Sequence, residues 1–148
     1  MDYRAMIRLQ KCIYFNQYIY AIWFIVIIFF LYVKLDKLDH LSKYLSVTTF
    51  VLLFIIEVTR LYLAHYGNLS SRVPELAGFL MLTILMQMPL VSFFVFNPYL
   101  LSTHTEYVLH ISLWLITILE IIFGFLALKH ASSVAKSIYL SHSRQVKY

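Results

Sequence analysis

The sequence predicts an all-α membrane protein: four transmembrane helices in an up-down bundle, with both termini cytoplasmic. Composition is the first ground. Of 148 residues, 61% are hydrophobic and 13% charged, at a mean hydropathy of +0.78, whereas a soluble domain carries roughly a quarter charged residues. Grouping is the second: the apolar residues collect in four runs, each near the ~20 residues that cross a hydrocarbon core. The third is the uneven placement of lysine and arginine between the two sets of loops, which sets orientation.

The first span runs 12–33, 22 residues without a charge, about 33 Å of helix. Its basic flank (Arg4, Arg8, Lys11) resembles a signal peptide, but the run exceeds the roughly 7–15 apolar residues of one, and no small-residue cleavage site follows. Residues 1–11 are expected as a basic cytoplasmic lead along the membrane surface, with Asn16, Gln17 and Tyr18 as interfacial anchors. After a charged turn, Asp39 is placed to cap the second span, 45–63, which contains Glu57 and Arg60. The third span, 76–96, holds Gln87 and Pro89, the proline read as a kink. Thr103 and Glu106 have capping-box spacing before the fourth span, 107–128, which contains Glu120. Residues 129–148 read as a basic cytoplasmic tail, a frayed helix or disordered. Short loops make successive helices antiparallel neighbours.

Eight cations flank the spans on one side (Arg4, Arg8, Lys11, Arg72, Lys129, Lys136, Arg144, Lys147) and three on the other (Lys34, Lys37, Lys43). The net charge of +5 is read as this positive-inside bias and as attraction to the lipid bilayer, not as a nucleic-acid surface. Both termini are therefore expected in the cytosol, and the sequon Asn68-Leu-Ser70 with them.

The embedded charges are the candidate functional residues, because ionisable groups in a membrane are costly and rarely idle. Glu57 and Arg60 stand at i and i+3, in a stripe with Ser46, Thr49 and Ala64 suited to packing against other helices. Glu120 shares a face with His110, Thr117 and Gly124. Counted from the middle of each span, Glu57 and Glu120 lie about 4 Å toward the cytoplasm and Arg60 about 9 Å. The hypothesis is that Arg60 is shared by both carboxylates. The alternatives are an Arg60 that snorkels to headgroups with Glu57 as its partner, contact with another membrane subunit, and a proton or ion pathway.

Between the second and third spans, Gly67-Asn68 is read as a left-handed helix C-cap. Pro74 opens the next helix, and Glu75 faces the positive end of its dipole. Enzyme readings find little footing. His40, His65, His104, His110, His130 and His142 are scattered, Cys12 is the sole cysteine, and three glycines make no phosphate loop. No enzyme activity, cofactor, metal or small-molecule substrate is expected.

Glu57-x-x-Arg60-Leu61-Tyr62, then Gly67-Asn68-Leu69, then Val73-Pro74-Glu75-Leu76-Ala77-Gly78-Phe79 resembles the transmembrane protein 17 family of ciliary tetraspan proteins. Gln87-x-Pro89-Leu90 and Phe15-Asn16-x-Tyr18 fit the same pattern. The resemblance implies residence in the ciliary membrane at the transition zone. It also implies partnership with other membrane subunits of the Meckel syndrome, or tectonic-like, complex. The role it implies is a membrane diffusion barrier, cilium assembly and, in vertebrates, Hedgehog signalling. The chain departs in its short termini and in lacking an Arg-Val-x-Pro targeting pattern, since Arg72-Val73-Pro74 has no intervening residue. The functional alternative is a small ion-coupled transporter or channel subunit.

Overall fold

A computed structural model describes residues 3–70, 72–100 and 102–146, so the tail cation Lys147 lies outside it. Four helices are long and apolar enough to cross a membrane: α1 (Tyr3–Lys34), α2 (His40–Leu69), α3 (Val73–Phe96) and α4 (His104–Gln145). A 3-10 turn, Pro98–Leu100, joins the last two. No strand occurs among the described residues.

Each inner face follows from helical spacing. In α1 the buried residues are Met6, Leu9, Ile13, Asn16, Tyr20, Trp23 and Ile27. In α4 they are Glu106, His110, Leu113, Thr117, Glu120, Gly124, Ala127 and Ala131. Alternating steps of three and four keep one seam facing the bundle. α1 and α4 share the most extensive contact. They run antiparallel, because Lys34 at the end of α1 pairs with Glu106 at the start of α4.

The core has two apolar halves. Tyr20, Trp23, Phe50, Leu53, Val91, Phe94 and Leu113 fill one, and Leu9, Ile13, Ala64, Leu76, Phe79, Leu80 and Ala127 the other. Between these halves every helix buries polar residues: Asn16; Glu57 and Arg60; Thr83 and Gln87; Thr117 and Glu120. A polar layer therefore crosses the middle of an otherwise apolar bundle.

Several local expectations change. The lead is not a separate surface segment: α1 starts at Tyr3 and buries Met6 and Leu9, while Arg4, Arg8 and Lys11 occupy its exposed side. The tail is no frayed end either, since α4 continues to Gln145, with Ala131 still buried. Asp39 holds the N-cap position of α2 but its side chain makes no cap bond. Thr103 does cap α4, accepting from the Glu106 backbone N–H at 3.5 Å.

The hairpin between α2 and α3 also differs. Gly67 and Asn68 lie inside α2, whose C-cap is Ser70 at φ −95°. Gly67 is small for a different reason: an added Cβ there would sit 2.8 Å from the Leu76 backbone N and 3.1 Å from the Glu75 carbonyl carbon. Its hydrogen is what lets α3 start directly against α2. Asn68 donates to the Met6 carbonyl at 3.0 Å and to Gln10 Oε1 at 3.1 Å, tying α1 to the same corner. Pro74 stands in the first turn of α3, with Glu75 beside it.

Candidate functional site

The polar layer is organised by Arg60, which is fully buried. A guanidinium carries five N–H groups in a fixed fork, and here each meets an oxygen. Nε donates to Glu57 Oε2 at 3.2 Å and Nη2 to Glu57 Oε1 at 3.3 Å. Nη1 and Nη2 reach Glu120 Oε2 at 2.9 and 2.8 Å. The fifth bond runs from Nη1 to Thr83 Oγ1 at 2.8 Å, and the Phe79 ring lies 5.2 Å below the guanidinium carbon. Arg60 thus joins α2, α3 and α4 rather than snorkelling to headgroups.

Glu57 is equally saturated. Beyond its two bonds from Arg60, it accepts from Asn16 Nδ2 at 2.8 Å and from Gln87 Nε2 at 3.0 Å. Asn16 brings in α1, so all four helices meet at one ion cluster. Isolated buried charges are prohibitive in a medium of low dielectric, and only dense mutual bonding makes such a group tolerable.

The α3 backbone is shaped around this cluster. Thr83–Gln87 is a π-helical turn in which the Met88 N–H bonds the Thr83 carbonyl. Pro89 cannot donate to the carbonyl four residues back and its ring crowds it; the widened turn just before it relieves that conflict. The result is no simple proline kink. The turn's first and last residues, Thr83 and Gln87, both face Arg60 and Glu57.

The sequence places the three charges and the structure brings all three together. It does not flag their uncharged partners. Asn16 is not an interfacial anchor but a buried ligand of Glu57, in register with Leu9, Ile13, Tyr20 and Trp23, the spacing that gives it away. Gln17 and Tyr18 are exposed, but they stand beside Asn16 at the middle of α1 rather than near its end. The stripe residues Ser46, Thr49 and Ala64 are buried within the chain itself, as are His110, Thr117 and Gly124. His110 accepts from Trp23 Nε1 at 2.9 Å and stacks on Phe94 at 5.1 Å. These stripes are therefore unavailable for contact with another subunit.

The hairpin motif divides into inner and outer members. Leu61 and Val73 pack partly into the core, and Gly78 faces Leu63 at ordinary contact distance. Tyr62 and Leu69 point outward, 67% and 74% exposed. Tyr62 stacks on Tyr66 at 5.9 Å, and Arg72 lies 5.1 Å over the Tyr66 ring. Among the described residues, no group of three His, Cys, Asp or Glu side chains is placed to hold a metal.

Four spanning helices around a buried arginine–carboxylate cluster define a multi-pass membrane protein. The chain belongs to the transmembrane protein 17 family. That family's model, described as "Predicted membrane protein", matches residues 11–117. Human transmembrane protein 17 is 37% identical over 125 residues, covering 84% of this chain and 63% of the relative. Transmembrane protein 17B of Danio rerio is 39% identical over 128 residues, covering 86% and 67%. For Gallus gallus transmembrane protein 17 the identity is 40% over 125 residues, covering 84% and 60%. The chain thus spans less than two thirds of the human and chicken relatives' own lengths. No solved structure matches it significantly.

Proposed function

We propose that this chain is a structural membrane subunit of the ciliary transition zone. Within the Meckel syndrome, or tectonic-like, complex it packs beside other membrane subunits and helps limit exchange between the ciliary and plasma membranes. It supports cilium assembly and, in a vertebrate, Hedgehog signalling. Family membership carries this reading, since the ciliary role is what the Arg60–Phe79 motif implies. The protein acts by packing rather than by catalysis and uses no cofactor or small-molecule substrate.

The polar cluster supports a structural role over an ion-coupled transporter. Arg60 has an acceptor for every N–H and Glu57 is bonded at both oxygens, which suits a fixed joint better than a moving relay. With the polar stripes used inside the chain, neighbours meet its outward faces. Tyr62, Leu69 and Pro74 are exposed motif residues that can touch them.

A tagged protein imaged beside a marker of the ciliary base tests this directly. Coincidence at the base is expected, and an even spread over the plasma membrane with no ciliary enrichment would overturn the proposal. Both termini face the cytosol in this reading. An N-terminal epitope is then reached by antibody only after permeabilisation, and Asn68 stays unglycosylated. Efficient glycan attachment at Asn68 in the intact protein would refute the orientation.

A further inference from the structure

The cluster's charges do not balance. Glu57 and Glu120 bring two negative charges to the single positive charge of Arg60, all three fully buried. Two carboxylates sharing one buried site cannot both remain ionised without a second cation. The other groups around the three charges are Cys12, Asn16 and Tyr20 from α1 and Thr83 and Gln87 from α3. None of these supplies the missing positive charge.

The hydrogen bonds distinguish the two carboxyls. Glu57 uses both oxygens, accepting four bonds. Glu120 accepts through Oε2 alone, and its Oε1 is buried without a partner. Two other buried oxygens in the same layer also lack partners, Asn16 Oδ1 and Gln87 Oε1. A buried oxygen left unpaired is costly, and a surplus of acceptors calls for a donor.

We propose that the cluster is a proton-binding site, in which Glu120 holds one proton on Oε1 while Glu57 and Arg60 form the ion pair. The proton cancels the surplus charge and turns Oε1 from an unpaired acceptor into a donor. Asn16 lies within reach of Glu120; its Nδ2 is spent on Glu57, and its Oδ1, buried without a partner, is the acceptor to hand. A metal cation fits less well, because Arg60 already occupies the space between the two carboxylates. The site binds its proton in place and needs no path across the bilayer.

Infrared spectroscopy of the full-length protein in lipid nanodiscs at neutral pH reads this without any added ligand. One carbonyl band of a buried, protonated carboxylic acid is expected, lost in Glu120→Gln and kept in Glu106→Gln, whose parent pairs with Lys34. Absence of the band from the wild type, or its survival in Glu120→Gln, overturns the proposal. Glu57→Gln covers the case in which Glu120→Gln does not fold. It leaves Glu120 as the only carboxylate for Arg60, so the acid must ionise and the band disappear; persistence there also overturns the proposal.

Discussion

Replacing Arg60 with leucine is expected to cause the largest single loss of folded protein in this chain. The change strips Glu57 of two bonds and Glu120 of both of its own, and leaves two carboxyls facing each other between apolar layers. Removing one partner of a buried pair costs roughly 3–5 kcal/mol, a large part of a typical fold's stability. Replacing Glu57 and Arg60 together with apolar residues is expected to do less harm, since no charge is then stranded against an ionised neighbour and Glu120 can stay neutral. Detergent-resistant, monodisperse protein recovered from membranes measures the difference. Equal recovery of the single and double variants would mean that Arg60 is not neutralising Glu57.

The second large effect is expected at Gly67. Gly67→Val places a branched side chain where even a Cβ meets the α3 backbone at 2.8 Å. Backbone cannot swing aside as a side-chain end can, so α2 and α3 must separate. Overpacking of this kind costs about 1–3 kcal/mol, and here it also loosens the corner where Asn68 holds α1. Gly124 is the internal comparison. Its added Cβ would approach the tip of the Leu80 side chain at 2.9 Å, and a leucine end can turn away. Gly67→Ala should therefore lower the melting temperature more than Gly124→Ala. Gly67→Val should insert in membranes yet leave the ciliary base, with fewer cilia or cilia that admit plasma-membrane proteins. A Gly67→Val protein that inserts, localises and supports normal cilia would reduce the hairpin to a connector.

Most of the architecture was legible because a membrane imposes a coarse rule that composition obeys. Four uncharged or nearly uncharged runs gave four helices, and the three embedded charges stood out against them. What the runs hid was where each helix begins and which way it faces. Counting the first span from Cys12 set Asn16 near an interface; counting α1 from Tyr3 sets it mid-helix, facing Glu57. Exposed cations do not end a helix when they share one side of it, and Arg4, Arg8 and Lys11 do. Gly67 illustrates a different ambiguity: a glycine before Asn signals either a left-handed cap or a close approach, and sequence alone does not separate them. The stripes on the second and fourth spans were equally ambiguous about their partner, which proved to be the chain's own helices.

The central claim is that the buried charges serve the joint between this chain's helices and nothing beyond it. The most direct measurement compares ciliary-base occupancy per folded molecule for the wild type and for a variant whose charged and amide cluster residues are made apolar: Asn16→Leu, Glu57→Met, Arg60→Met, Gln87→Met and Glu120→Met. A buried ion network replaced by well-packed apolar residues of similar volume is often neutral or stabilising. The variant is therefore predicted to fold and to reach the ciliary base as the wild type does. A variant that folds as well as the wild type but fails to localise would contradict the claim and give the charges a task outside the bundle.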